Sequence, residues 1–160
     1  MTKQSLQAIA RTLNEVGGGL AVNAHGYLRL TLDVDLLIDL AANNILAALK
    51  ALDTLGYRPH VPITAEQFAD PKNRDRWIAE KGMKVLKLHS DAHRETVIDV
   101  FVSDPLGFEH AYARVKVELL GDGVSLPVCS YEDLVKLKLE ASRPKDLVDL
   151  EQLKKVRGDV

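Results

Sequence analysis

One cysteine, Cys129, occurs in 160 residues, so no internal disulfide framework exists and a reducing compartment suits the chain. Aromatic residues are only 5% of the sequence, with a single tryptophan, which excludes a broad stacking platform for single-stranded nucleic acid. The formal net charge is −2, so there is no chain-wide basic field of the kind that advertises nucleic-acid binding. A local basic cluster does run from Lys136 to Arg157. No apolar run approaches the roughly 20 residues needed to span a bilayer, and "MTKQSLQAIARTL" has neither a signal-peptide apolar region nor a cleavage site. The expectation is a cytoplasmic protein with no membrane attachment. Internal repeats, low-complexity tracts and interdomain linkers are also missing.

Apolar residues make up 46% and charged residues 28%, values ordinary for a globular domain. A chain of this length suits one domain that buries about two-thirds of its unfolded surface. Gln4 to Glu15 reads as an amphipathic helix, with Leu6, Ile9, Ala10 and Leu13 at helical spacing. "VGGGLAV" follows, and Leu20 to His25 is expected to form a short helix after the glycines. Leu28 to Asp39 alternates as a strand. Ile45, Leu46, Leu49, Leu52 and Leu55 mark a helix that ends near Gly56. "YRPHVPI" suits an edge strand, and Thr64 to Glu80 reads as two helical pieces divided by Pro71. "MKVLKLHS" with "ETVIDVFVS", and "RVKVELL" with "VSLPVCS", look like strand pairs. From Ser130 onward the chain is helical, broken at Pro144. Strands interleaved with helices in this order predict a mixed sheet packed by helices.

The chemistry concentrates at a few positions. In "LRLTLDVDLLID" the even residues are apolar, while Arg29, Thr31, Asp33 and Asp35 share the opposite face. Two carboxylates on one face repel, so either that face meets water at a sheet edge or something compensates. In "TVIDVFVS" Asp99 stands among Val97, Ile98, Val100 and Phe101, apolar on both faces. It is a hydrogen-bonded core aspartate or one member of a convergent acidic site. If Asp33, Asp35 and Asp99 meet, a divalent cation with water and phosphate oxygens is the natural compensation. The glycines before Leu20 expose backbone N–H groups for a phosphate, or simply make a turn. On the helix "YEDLVKLKLEA", Leu134, Leu137 and Ala141 share a face with Lys138 at its margin, where it either reaches inward or snorkels outward. Asp146, just after Pro144, joins a site or caps a helix. Arg143 and Lys145 either serve phosphates or decorate the helix joint. His89 and His93 flank a turn and carry no zinc signature, and Cys129 lacks partners for a nucleophilic role.

Together, "GGLAVNAHGYLRLTLDVDLL", "VIDVF" and "EDLVKLKLEASRPKDLVDL" resemble minimal nucleotidyltransferases of the polymerase-beta-like superfamily, in the branch of abortive-infection toxins and aminoglycoside-nucleotidyltransferase-like proteins. The resemblance implies an α+β nucleotidyltransferase-like fold in one domain over 1–160. Its core would run over about 16–128, with a C-terminal helical hairpin over about 130–156. It implies that Gly18 and Gly19 hold the triphosphate of a nucleoside triphosphate, and that Asp33 and Asp35 bind Mg2+ or Mn2+. Asp99 would complete the metal site and act as general base. Lys138 and Asp146 would bind nucleotide and support the site, and Arg29 would assist with phosphate or acceptor.

The implied reaction is transfer of a nucleoside monophosphate to a hydroxyl of RNA (tRNA included), protein or a small molecule. Implied partners are an antitoxin or other helical protein and, through an unpaired sheet edge, a second copy of the chain. Relatives carry a hydrophobic strand immediately before the glycines. "ARTLNEVGGG" leaves no room for the five or so residues such a strand needs. Two expectations therefore stand: an active metal-dependent enzyme, or a catalytically impaired member that serves as a nucleotide- or partner-binding subunit.

Overall fold

In "DVDLLI" the alternation of side chains decides everything around it. The computed structural model describes residues 2–16, 19–21 and 33–158. In chain order the elements are α1 (Lys3–Val16), β1 (Gly19–Ala21), β2 (Asp33–Ile38), α2 (Ala42–Asp53), β3 (Arg58–Pro59), α3 (Ala65–Ala69) and α4 (Pro71–Lys81). They continue with β4 (Val85–His89), β5 (Val97–Phe101), α5 (Phe108–Ala113), β6 (Lys116–Gly121), β7 (Val124–Val128), α6 (Tyr131–Ala141) and α7 (Pro144–Arg157). The described strands form one mixed sheet in the order β3-β4-β5-β2-β1-β7-β6. β2 lies parallel to β5, and β1 lies parallel to β7.

Helices cover both faces. Val34, Leu36 and Ile38 of β2 point into one core with Leu86, Leu88, Ile98 and Val100, beneath α1, α2 and Trp77 of α4. Leu37 and Phe101 point the other way, against Leu134, Leu137 and Ala141 of α6 and Leu153 of α7. Each fully buried leucine of this kind stabilises the fold by roughly 1.5–3 kcal/mol. At the end of α2, Gly56 (φ +82°) lies so close to Ser90 that an added Cβ would stand 3.0 Å from its Oγ. That hydroxyl donates to the Leu55 carbonyl at 2.7 Å, fixing α2 to the end of β4.

One expectation changes, one alternative is decided and one boundary falls outside the described residues. Of the two readings of the acidic strand, the edge facing water falls away: β2 is central, lying between β5 and β1, and its acidic face is covered by helices. The segment after the glycines is not helical where it is described: Gly19, Leu20 and Ala21 pair antiparallel with Ile38, Leu37 and Leu36. The physical reason is that α1 extends to Val16, no described strand precedes the glycines, and the inner edge of β2 still requires a hydrogen-bonding partner. The expected strand also began at Leu28, but 28–32 lie outside the described residues. The two strand pairs, the edge piece at Arg58–Pro59 and the division of α3 from α4 at Pro71 are as the sequence reading has them.

Candidate functional site

The acidic site is a consequence of strand register. Asp35 and Asp99 are register partners on parallel β2 and β5, and Lys87 of β4 is the partner of Asp99 on the other side. Partnered residues share a face, so a Lys–Asp–Asp row crosses three strands, with Asp33 two residues along from Asp35. Asp99 and Asp35 are 0% and 2% exposed, whereas Asp33 is partly exposed.

The helical hairpin closes over this row. α6 begins where the Ser130 side chain accepts from the Asp133 backbone N–H at 3.1 Å, a cap of the kind worth about 1 kcal/mol. The helix ends at Ser142, which takes the left-handed conformation (φ 48°) and turns the chain back. Pro144 starts α7, where its missing N–H costs nothing. Asp146, in the first turn of α7, accepts from the Arg143 backbone N–H at 3.1 Å. Arg143 and Lys145 therefore stand on the helix joint, directly over the sheet.

Five carboxylates meet four cations here: Asp33, Asp35, Asp99, Asp146 and Asp149 against Lys87, Lys138, Arg143 and Lys145. Lys138 Nζ donates to Asp35 Oδ2 at 2.5 Å, Asp146 Oδ1 at 3.3 Å and Asp149 Oδ2 at 2.9 Å. Lys145 Nζ bridges Asp99 Oδ2 at 2.6 Å and Asp33 Oδ2 at 3.0 Å. Arg143 donates to Asp146 Oδ2 from Nε at 2.6 Å and reaches Asp99 Oδ2 from Nη1 at 3.3 Å. Lys87 lies 3.0 Å from Asp99 Oδ1 without hydrogen-bond alignment. Asp35 Oδ1 is also buried and accepts no hydrogen bond, with Arg143 Nη2 3.7 Å away.

These environments drive the two central carboxyls apart. Burial raises the Asp35 pKa, only partly opposed by Lys138. Burial also acts upward on Asp99, but the Lys145 hydrogen bond and the charges of Lys145 and Lys87 outweigh it, and its pKa falls below the usual range. Lys138 is held charged: burial opposes this, and Asp35 and Asp149 overcome it. Burial likewise works against Lys145 and Arg143, yet Asp99 and Asp146 respectively raise both.

The fold thus brings together Asp33, Asp35, Asp99, Lys138 and Asp146. Gly18 and Arg29 lie outside the described residues. Gly19 opens β1 opposite Ile38, three register positions beyond Asp35, or about 10 Å along the strand. Sequence reasoning passed over Lys87 altogether. The available signal was its place between Val85 and His89 on the non-core side of "VLKLH", in a hairpin with the Asp99 strand. The oxygens of Asp35, Asp146 and Asp149 lie within 4.8 Å of one another and could hold a cation, and the Lys138 ammonium binds all three.

A pair of acidic strands under a Lys/Asp hairpin has a counterpart among known families. The family model "Nucleotidyl transferase AbiEii toxin, Type IV TA system" matches residues 16–160. The chain belongs to this family. No curated protein matches it. The mixed α+β architecture is accordingly a nucleotidyltransferase-like fold, and this AbiEii-family chain is a nucleotidyltransferase of a toxin–antitoxin type. Among the described residues no helix is long and apolar enough to cross a membrane.

Proposed function

We propose that this AbiEii-family chain transfers a nucleoside monophosphate from a nucleoside triphosphate to an acceptor hydroxyl at the β2–β5 face. The observation that carries the reading is the register pairing of Asp35 with Asp99, each with one buried oxygen that accepts no hydrogen bond. Asp99 Oδ1 has the Lys87 ammonium 3.0 Å away, whereas Asp35 Oδ1 accepts no hydrogen bond and has Arg143 Nη2 only at 3.7 Å; a buried carboxylate oxygen in that state is expensive unless something binds it. Asp33, Asp35 and Asp99 offer hard oxygen donors of the kind Mg2+ or Mn2+ takes, while the described carboxylates whose oxygens already converge within 4.8 Å are Asp35, Asp146 and Asp149. Such an ion, when bound, supplies Lewis-acid polarisation of the α-phosphate and charge stabilisation for the leaving pyrophosphate.

The chain's own side chains do the rest. Asp99 stays ionised because Lys145 and Lys87 depress its pKa, so it can take the proton of the attacking hydroxyl. The new bond joins the acceptor oxygen to Pα, the bond between Pα and the bridging oxygen breaks, and pyrophosphate leaves with that electron pair. Lys145 and Arg143 retain partial exposure, with side chains 39% and 20% accessible, and can exchange carboxylate partners for phosphates. Lys138, 2% exposed with three carboxylates, has no free donor and serves to hold Asp35 and Asp146 in place.

The test is incubation of the purified chain with Mg2+, each labelled triphosphate and a cell extract as acceptor source. Label should move to an acceptor with stoichiometric pyrophosphate, and D99N should abolish it while leaving the circular dichroism spectrum intact. Absence of both products with every triphosphate refutes the reading. A second reading has its own support: internal cations already neutralise the carboxylates. It makes the chain a nucleotide- or partner-binding subunit, and calorimetric binding without turnover would select it. An antitoxin, a helical partner or a second copy of the chain belongs with either reading, as does action in the cytoplasm as one domain.

A further inference from the structure

A cavity of about 600 Å3 opens at the edge of β4, beyond the two residues that β3 pairs with it, and includes Lys87 in its lining. Its walls come from α4, β4 and the chain after β3. Trp77, Met83 and Leu86 make part of an apolar floor, while Arg76 and Lys81 bring two positive charges; the third basic lining residue, Lys87, has its ammonium paired with Asp99 and Asp33. No Asp or Glu occurs among its lining residues, which stands out in a chain whose acids outnumber its basic side chains. Lys87 joins the cavity to the proposed catalytic face. Lys87 is one of the lining residues, and its ammonium lies 3.0 Å from Asp99 Oδ1 and 3.6 Å from Asp33 Oδ2. Arg76 and Lys81 are exposed, and Arg76 donates a hydrogen bond to Asn73 within α4 at 3.1 Å.

We propose that this cavity seats the acceptor, and that the acceptor carries phosphate. The inference rests on the transfer reading for its direction, because it places the acceptor hydroxyl on the Lys87 side of Asp99. Cations without intervening carboxylates bind phosphate oxygens, and the floor accepts the apolar or planar body to which the phosphate is attached. The same field repels polyamines, so an aminoglycoside is the wrong acceptor. Phosphate could come from a nucleic-acid strand or from a phosphorylated small molecule.

Trp77 is the only tryptophan in the chain, and it lines the cavity, so its fluorescence reports occupancy there. The full-length protein, without triphosphate, is titrated in separate arms with an eight-residue oligoribonucleotide, glucose 6-phosphate, kanamycin and a phosphate-free oligoglutamate peptide. A phosphate-bearing probe should change the fluorescence, and R76E/K81E should weaken it at least tenfold while leaving calorimetric triphosphate binding unchanged. If the oligoribonucleotide is the better probe, the source is a strand. Its salt dependence should then lose about 1.4 in log–log slope in the double variant, at about 0.7 per phosphate contact. If glucose 6-phosphate binds as well as the oligomer, the source is a small molecule.

The proposal is overturned if neither phosphate probe perturbs Trp77, if R76E/K81E binds as the natural chain does, or if kanamycin or oligoglutamate binds as tightly. D35N separates this test from the transfer reading. It should leave the Trp77 titration intact even where transfer is lost, so a failed transfer assay and a failed acceptor cavity give different results.

Discussion

Replacing Lys138 by methionine removes a charge with little change in volume, so the cost is electrostatic rather than a cavity. The ammonium is 2% exposed and touches Asp35 and Asp146, themselves 3% and 0% exposed, as well as the more accessible Asp149. Taking away one partner of a buried ion pair leaves an uncompensated buried charge, which typically costs about 3–5 kcal/mol. Asp149, 17% exposed, can turn partly to water and contributes little to that figure. A domain of this size has about 5–15 kcal/mol in hand, so K138M should remain folded at 25 °C but lose about 10 °C in Tm. Urea unfolding at pH 7 measures the difference directly.

The pH dependence distinguishes charge from packing. In the natural chain Asp146 is held below the usual carboxylate range: burial raises it, and Arg143 and Lys138 outweigh burial. Its stabilising contribution is therefore complete above the unfolded value near 3.8 and disappears as pH falls through the lower folded value. In K138M the orphaned carboxyls shift upward instead, so the variant recovers as acid protonates them. The stability gap should narrow steadily from pH 7 towards pH 4.5. The three carboxylates left behind lie within 4.8 Å of one another, so millimolar Mg2+ or Ca2+ should stabilise K138M more than the natural chain. A loss below 1 kcal/mol at pH 7, or a gap independent of pH, would refute the account of Lys138 as the internal counter-ion.

Replacing either central carboxylate, D35N or D99N, should reduce transfer by roughly 10²-fold or more, measured as labelled pyrophosphate release. Chelation of divalent ions should abolish that release, and added Mg2+ or Mn2+ should restore it. Asp133, paired with Arg114 at 2.9 Å and 3.0 Å, has its pKa lowered: burial raises it, and the Arg114 hydrogen bonds outweigh burial. Its contribution is present above about pH 4 and lost below it, so D133N should flatten the acid limb of stability followed by circular dichroism between pH 4 and 2. Burial beside Asp133 pushes the Cys129 thiol up to about 12. Iodoacetamide at pH 8 should therefore leave the folded chain unlabelled and label it fully in urea.

The sequence carried the sheet better than it carried the site's electrostatics. Period-two alternation in "DVDLLI" and "VIDVF" was enough to put Asp33, Asp35 and Asp99 on faces of strands, because a strand offers only two faces. It could not say that β2 and β5 are neighbours in parallel register, since that depends on which edges remain unpaired after every strand is placed. The segment after Gly19 was misread for the same reason: local propensity allowed a helix, and the open side of β2 demanded a strand. Lys138 was legible as a residue at the margin of an apolar stripe. That its three protons would all go to aspartates on two other elements was not, because the crossing of α7 over β2 has no signature in either segment.

Burial divides the four cations into two groups, and the division has functional consequences. Lys138 is enclosed and saturated, so its bonds are part of folding and cannot be released without the cost worked out above. Lys87 and Lys145 have side chains 39% accessible and Arg143 20%, and all three lie against Asp99. Their accessible ends can turn to an incoming polyphosphate, but Asp99 is 0% exposed, so the exchange leaves a buried carboxylate that needs a new counter-charge. With those three drawn to phosphate, Asp33 and Asp99 lose their main neutralising partners, and the affinity of that face for a divalent cation rises. Triphosphate and metal should therefore bind with positive coupling: calorimetric Mg2+ affinity should increase in the presence of a non-hydrolysable triphosphate, and by linkage the triphosphate affinity should rise equally with Mg2+. Removing Lys145 as K145A should shrink that coupling by strengthening metal binding to the chain alone, whereas equal Mg2+ affinity with and without triphosphate would mean that the rim cations do not exchange partners.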